Sequence, residues 1–154
     1  MQTFLPYADF AETARALDQK RLGKQRVEVI QIVRALTREA YGWKHHPAVL
    51  MWKGHEEALG AYGVAIVREW CSLGRADTCE ATILADLAAA GVRVPPRTQA
   101  ELADAGELPP WLGHEALHRS HRSALLRKDP EHYRPLFGDE PDDLDYVWPV
   151  RKSA

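Results

Sequence analysis

Along most of this chain, apolar residues recur three or four positions apart, the spacing of an amphipathic helix. The clearest stretch follows Asp18, which can cap a helix reaching about Arg38, with Gly42 beyond its end. At ~100° per residue, Leu22, Val29, Val33 and Leu36 fall on one side of that helix; Arg21, Lys24, Gln25 and Glu28 fall on another. Before it, Asp9 can cap a short helix through Leu17. After it, His45-His46-Pro47 opens a third helical region, with Pro47 suited to a first turn. Apolar positions continue there through Val49, Leu50, Leu59, Val64, Ile66, Val67 and Trp70, with Gly54, Gly60 and Gly63 as candidate breaks and Gly74 as a stop. Asp77 or Thr78 can cap a helix through Ala90, ended by Gly91.

Residues 92 to 112 carry Pro95, Pro96, Pro109 and Pro110 and read largely as loop. A last helix is expected from about Gly113 to Lys128, followed by Pro130. The remainder is turn-rich, with Tyr133, Phe137, Tyr146 and Trp148 expected to pin it to the body. No period-two alternation is long enough to predict a strand, and there is no repeat. The expected class is all-α: a compact helical bundle in one domain over residues 1–154, with 139–154 as an acidic, turn-rich tail.

Length and composition fit that picture. With 154 residues, 45% hydrophobic and 27% charged, the chain can bury a core. No apolar run reaches membrane-spanning length, and the start lacks the basic and apolar regions of a signal peptide. The expected location is cytoplasmic, with no membrane partner. Two cysteines, Cys71 and Cys79, are too few for a disulfide scaffold and read as core thiols. No dimer interface is evident, so a monomer is expected.

Charge changes the picture through its distribution. The net charge is −2, yet residues 15 to 38 hold seven Lys or Arg against two acids, Asp18 and Glu28. Residues 119 to 128 add Arg119, Arg122, Arg127 and Lys128 with no acid. The balancing acids gather between Asp139 and Asp145. Basic patches of this kind hold phosphates, and they also occur as plain solvated faces. A single carboxylate, Glu28, on the first of them fits proton chemistry on a polyanion; the bland alternative is an exposed helix with a Lys24–Glu28 pair at i,i+4. His45 and His46 stand before a helix start, where backbone N–H groups attract anions. Trp43 is a candidate for stacking on a base, against the plain reading of the tryptophans as core.

His114-Glu115-Ala116-Leu117-His118 matches H-E-x-x-H, which on a helix can hold zinc while the Glu activates water. Against that stand the seven histidines, which make a chance match easy, and the surrounding cations, a costly setting for a dication.

Several of these stretches, taken in order, resemble the pyrimidine-dimer DNA glycosylase family of the phage endonuclease V type. Leu17-Asp18, Leu22 and Glu28 resemble the helix that carries the family's catalytic glutamate. His45-His46-Pro47 with Gly54-His55 is similar to its His-Pro or Ser-Pro turn and Gly-His pair. His114-Glu115-Ala116, the basic helix after it, Tyr133 and Phe137-Gly138 complete the set. The resemblance covers roughly residues 1 to 138. It implies a compact all-α domain with no cofactor and no metal, and damaged or modified double-stranded DNA as partner. It implies excision of a damaged pyrimidine, such as a cyclobutane dimer. The nucleophile would be the amine at the chain start, Met1 here, with Glu28 assisting sugar-ring opening and proton transfer. AP-lyase activity would accompany base excision. Arg21, Lys24, Arg26, Arg119 and Arg122, with His45 and His46, are the expected DNA contacts. The chain departs from the family in Val27 and Gln31, where arginines flanking the glutamate do not recur, in the bulky Gln2, around residues 76 to 112 and in the acidic tail. The readings left beside it are a non-catalytic nucleic-acid-binding module and a zinc hydrolase built on His114, Glu115 and His118.

Overall fold

The computed structural model describes residues 1–150; the last four residues of the expected acidic tail lie outside the described range. Eight helices and no strand occur among the described residues, so the fold is all-α. The helices are α1 (Phe10–Ala16), α2 (Gln19–Thr37), α3 (Pro47–Leu50), α4 (Glu56–Ser72), α5 (Cys79–Ala89), α6 (Gln99–Asp104), α7 (Glu115–Lys128) and α8 (Pro130–Phe137). No helix is long and apolar enough to cross a membrane.

Local chemistry explains most boundaries. Asp9 caps α1 by accepting the Glu12 N–H at 2.9 Å. Asp18 stands at the N-cap of α2 without making a capping bond. Its carboxylate instead accepts from Arg21 at 3.2 Å and from the Tyr133 hydroxyl. The third predicted helical region is two helices, because Gly54 takes φ +84° and turns the chain between α3 and α4.

Helix α2 packs against α4 and α5; α4 also meets α1 and α6, and α7 pairs with α8. Their shared core includes Leu22, Val29, Ile32, Val33, Leu59, Tyr62, Ile66, Ile83 and Leu87. Gly63 permits the close approach of α4: a Cβ there would lie 2.7 Å from Val29 Cγ1 and 3.1 Å from Ile83 Cδ1.

Two helices lie where turns were expected. Helix α6 sits in the proline-rich stretch, opened by a capping box between Thr98 and Glu101. Helix α8 opens with Asp129 as cap and Pro130 in its first turn, where a missing N–H costs nothing. The expected pinning of the C-terminal region holds. Tyr133 is fully buried, Phe137 stacks on it at 5.3 Å, and Tyr146 and Trp148 are half-buried. The cysteines are not core thiols: Cys71 is exposed and Cys79 half-buried.

Candidate active site

The chain start threads through the helices. Residues 2 to 6 are buried without regular structure, so their backbone groups need partners from elsewhere. Gln25 of α2 supplies several of them. Its Oε1 accepts the Phe4 N–H at 3.0 Å, and its Nε2 donates to the Gln2 carbonyl at 3.0 Å. The Tyr62 hydroxyl lies 2.7 Å from the Phe4 carbonyl, and Trp52 Nε1 donates to Thr3 Oγ1 at 3.0 Å. From α7, His121 Nδ1 accepts the Leu5 N–H at 2.9 Å, and His118 Nδ1 donates to the Leu5 carbonyl at 2.8 Å. The segment is therefore held between α2, α4 and α7.

This arrangement places Met1 in the wall of a cavity of about 430 Å³. Gln2, Gln25 and Glu28 line its buried part, and Lys20, Lys24 and Lys128 line it with exposed side chains, joined by Arg21 and Tyr146. Glu28 is 8% exposed, not on an open basic face as its helical position predicted. Its carboxylate accepts from Gln25 Nε2 at 2.5 Å and sits 3.9 Å from Lys24 Nζ. Burial pushes its pKa above the ordinary carboxylate value, against the charges of the chain-start ammonium and Lys24 and hydrogen bonds from Gln25 and the Gln2 backbone. A raised carboxylate beside an amine, in a cavity with a cationic mouth, can accept and return a proton next to a bound polyanion.

A family model described as pyrimidine dimer DNA glycosylase matches residues 1–83, more than half of the chain. The chain belongs to that family. Neither the curated proteins nor the solved structures include a significant match. The matched residues supply Met1, Gln2, Gln25, Glu28 and three of the cavity's cations, while Lys128 and Tyr146 come from beyond them. Membership of a DNA glycosylase family implies DNA as the partner.

The structure sorts this glycosylase-family member's expected DNA contacts into two groups. Arg21 and Lys24 line the cavity. Arg26 projects from α2 toward α4 and α5, bonded to Asp77 at 2.5 Å and lying 4.1 Å from the Trp70 ring centroid. Arg119 and Arg122 both engage Glu140, and Arg122 also donates to the Pro6 carbonyl at 2.8 Å and to Glu115. Glu140 of the acidic tail thus neutralises Arg119 and Arg122, while Lys128 stays at the cavity. His46 caps α3, accepting the Ala48 N–H at 3.0 Å, while His45 is exposed. Trp43 is 64% exposed at φ +67°, and its ring contacts His46, which in turn contacts Trp148. Trp148 meets Tyr146, so an edge of aromatic rings runs from the cavity to Trp43.

The H-E-x-x-H match resolves into structure. His118 has both ring nitrogens engaged, since its Nε2 accepts the Gly113 N–H at 2.9 Å. His114 is the exposed N-cap of α7. No group of three metal-ligating side chains stands together among the described residues. Sequence reasoning noted Gln2 and Gln25 but gave neither a role. Gln25 carried a signal, standing one turn before Glu28 on the same face.

Proposed function

We propose that this chain excises a damaged pyrimidine, such as a cyclobutane dimer, from double-stranded DNA and then cleaves the strand as an AP lyase. The observation that carries the reading is the shared cavity of Met1 and the buried Glu28, with Lys20, Lys24 and Lys128 around it. The Met1 amine attacks C1′, and the C1′–N1 bond breaks with its electron pair leaving on the base. Glu28 takes a proton from the attacking nitrogen and returns it to O4′ as the sugar ring opens. An imine joins Met1 to C1′. Loss of a C2′ proton then expels the 3′ phosphate by β-elimination. The lysines and Arg21 hold the flanking phosphates, contacts that confer affinity without reading bases. A cavity of this size calls for a nucleotide turned out of the duplex.

The test is borohydride trapping on a duplex carrying one thymine dimer. A covalent adduct mapping to the N-terminal peptide, and lost in Glu28→Gln, is expected. Salt-sensitive binding with no adduct and no base release would instead establish a non-catalytic binding module.

A further inference from the structure

One residue that lines the cavity carries a buried donor with no partner among the described residues. Gln2 is 4% exposed and lines the cavity directly after Met1. Its Oε1 accepts the Thr3 N–H at 3.0 Å, which fixes the orientation of the amide; the swapped amide would face N–H with NH₂. Its backbone carbonyl is taken by Gln25 Nε2. Its own Nε2 is shut from solvent and finds no acceptor among the described residues. Buried donors are almost always bonded, and an orphan costs stability, so one kept at a cavity wall fits an acceptor that arrives with the ligand.

We infer that Gln2 Nε2 donates to the O2 carbonyl of the pyrimidine being released and stabilises the departing base. The inference rests on the base-excision reading above. Apart from the Tyr146 hydroxyl and Arg21, which suits phosphates as the lysines do, the other polar groups of the cavity already have work. Met1 acts at C1′, Glu28 at O4′, the Gln25 amide holds Gln2 and Glu28, and the lysines suit phosphates. O2 is bonded to the carbon next to N1, which makes it the base acceptor nearest C1′. As the C1′–N1 bond breaks, its electron pair passes to N1 and is shared with O2; solvent later supplies the proton that makes N1 neutral, and in a cyclobutane dimer the base stays tethered to its neighbour through the ring. A donor already in place where that charge gathers lowers the barrier to bond breaking without needing to reorganise. It contributes nothing to the later elimination, because the C1′–N1 bond is already broken.

That asymmetry supplies the test. Gln2→Met and Gln2→Leu remove the donor and keep a bulky second residue. Each is compared with the wild type in single-turnover reactions on two duplexes, one with a thymine dimer and one with a preformed abasic site. Cleavage of the C1′–N1 bond at the dimer, read as free thymine after photoreversal of the cyclobutane ring, is expected to fall roughly tenfold to a hundredfold, while abasic-strand cleavage stays within about twofold. Retained abasic cleavage also reports that the variant is folded. Equal losses on both substrates, or unchanged base release, would overturn the assignment to O2. A wild-type protein inactive on both duplexes would sink the enzyme reading itself, and this inference with it.

Discussion

The Leu5 backbone N–H donates to His121 Nδ1 at 2.9 Å, across a separation of 116 positions in the chain. With His118 on the Leu5 carbonyl, α7 grips both polar groups of one residue in the segment that carries Met1. Burial drives both imidazoles toward the neutral form, and His121 is lowered to about 3. Only a neutral His121 can accept that N–H.

The grip is therefore sensitive to acid. In the unfolded chain His121 takes up a proton below about 6.5, while in the folded chain it resists one down to about 3. The stability it contributes is complete above 6.5 and is lost as pH falls through that window. His121→Ala should lower stability by roughly 2–4 kcal/mol at pH 7. Thermal melts of both proteins from pH 7.5 to 4.5 should show the wild-type advantage shrinking; a constant gap would contradict the neutral-imidazole account.

Glu28 has the opposite sign. Its raised pKa means that the folded chain binds the proton more tightly than the unfolded one, so stability falls as pH rises through the folded value. Glu28→Gln should abolish base release while raising the melting temperature at pH 7. The gain should narrow toward pH 4. A variant both inactive and less stable at pH 7 would mean that the carboxylate serves the fold.

Cations at the cavity should register in salt dependence, and the others should not. Lys24→Ala or Lys128→Ala should each flatten the slope of log K against log salt by about 0.9 for duplex DNA. Arg26→Ala should leave that slope alone. It should cost roughly 1–3 kcal/mol of stability instead, because Asp77 is buried against it. A changed slope in Arg26→Ala would place that arginine on DNA.

The position of α2 can be tested away from the cavity. Gly63→Ala puts a methyl 2.7 Å from Val29 Cγ1, beside Glu28 in sequence. Overpacking there should cost roughly 1–3 kcal/mol in denaturant unfolding. Because it pushes on the helix that bears Glu28, base release should fall as well. Unchanged stability would show that Val29 and Ile83 yield freely.

The long helices were readable because each carries its own signals. Asp18 marks the start of α2, Asp9 and Pro47 mark those of the short α1 and α3, and apolar positions recur at helical spacing through α2 and α4. Helix α8 was hidden because Pro130 read as the end of the preceding helix, although it occupies the one turn that tolerates it. Helix α6 is six residues long, too short to show a period, and only its Thr98–Glu101 box announces it. Lys24 and Glu28 were legible as a pair from their spacing. The burial of Glu28 was not, because helical position alone put it with Arg21 and Lys24, and the N-terminal segment covers that side.

The sequence by itself determined the helical class, the family, and the presence of one carboxylate among cations near the chain start. Those depend on local periodicity and on residues close together in the chain. Tertiary structure decided which charges are at work. Asp77 and Glu140 neutralise Arg26, Arg119 and Arg122 from positions between 18 and 51 residues away. The cavity is likewise closed by residues 1–28 meeting Lys128 and Tyr146. Burial and Coulomb interaction depend on distance in space, and only the packed chain sets that distance.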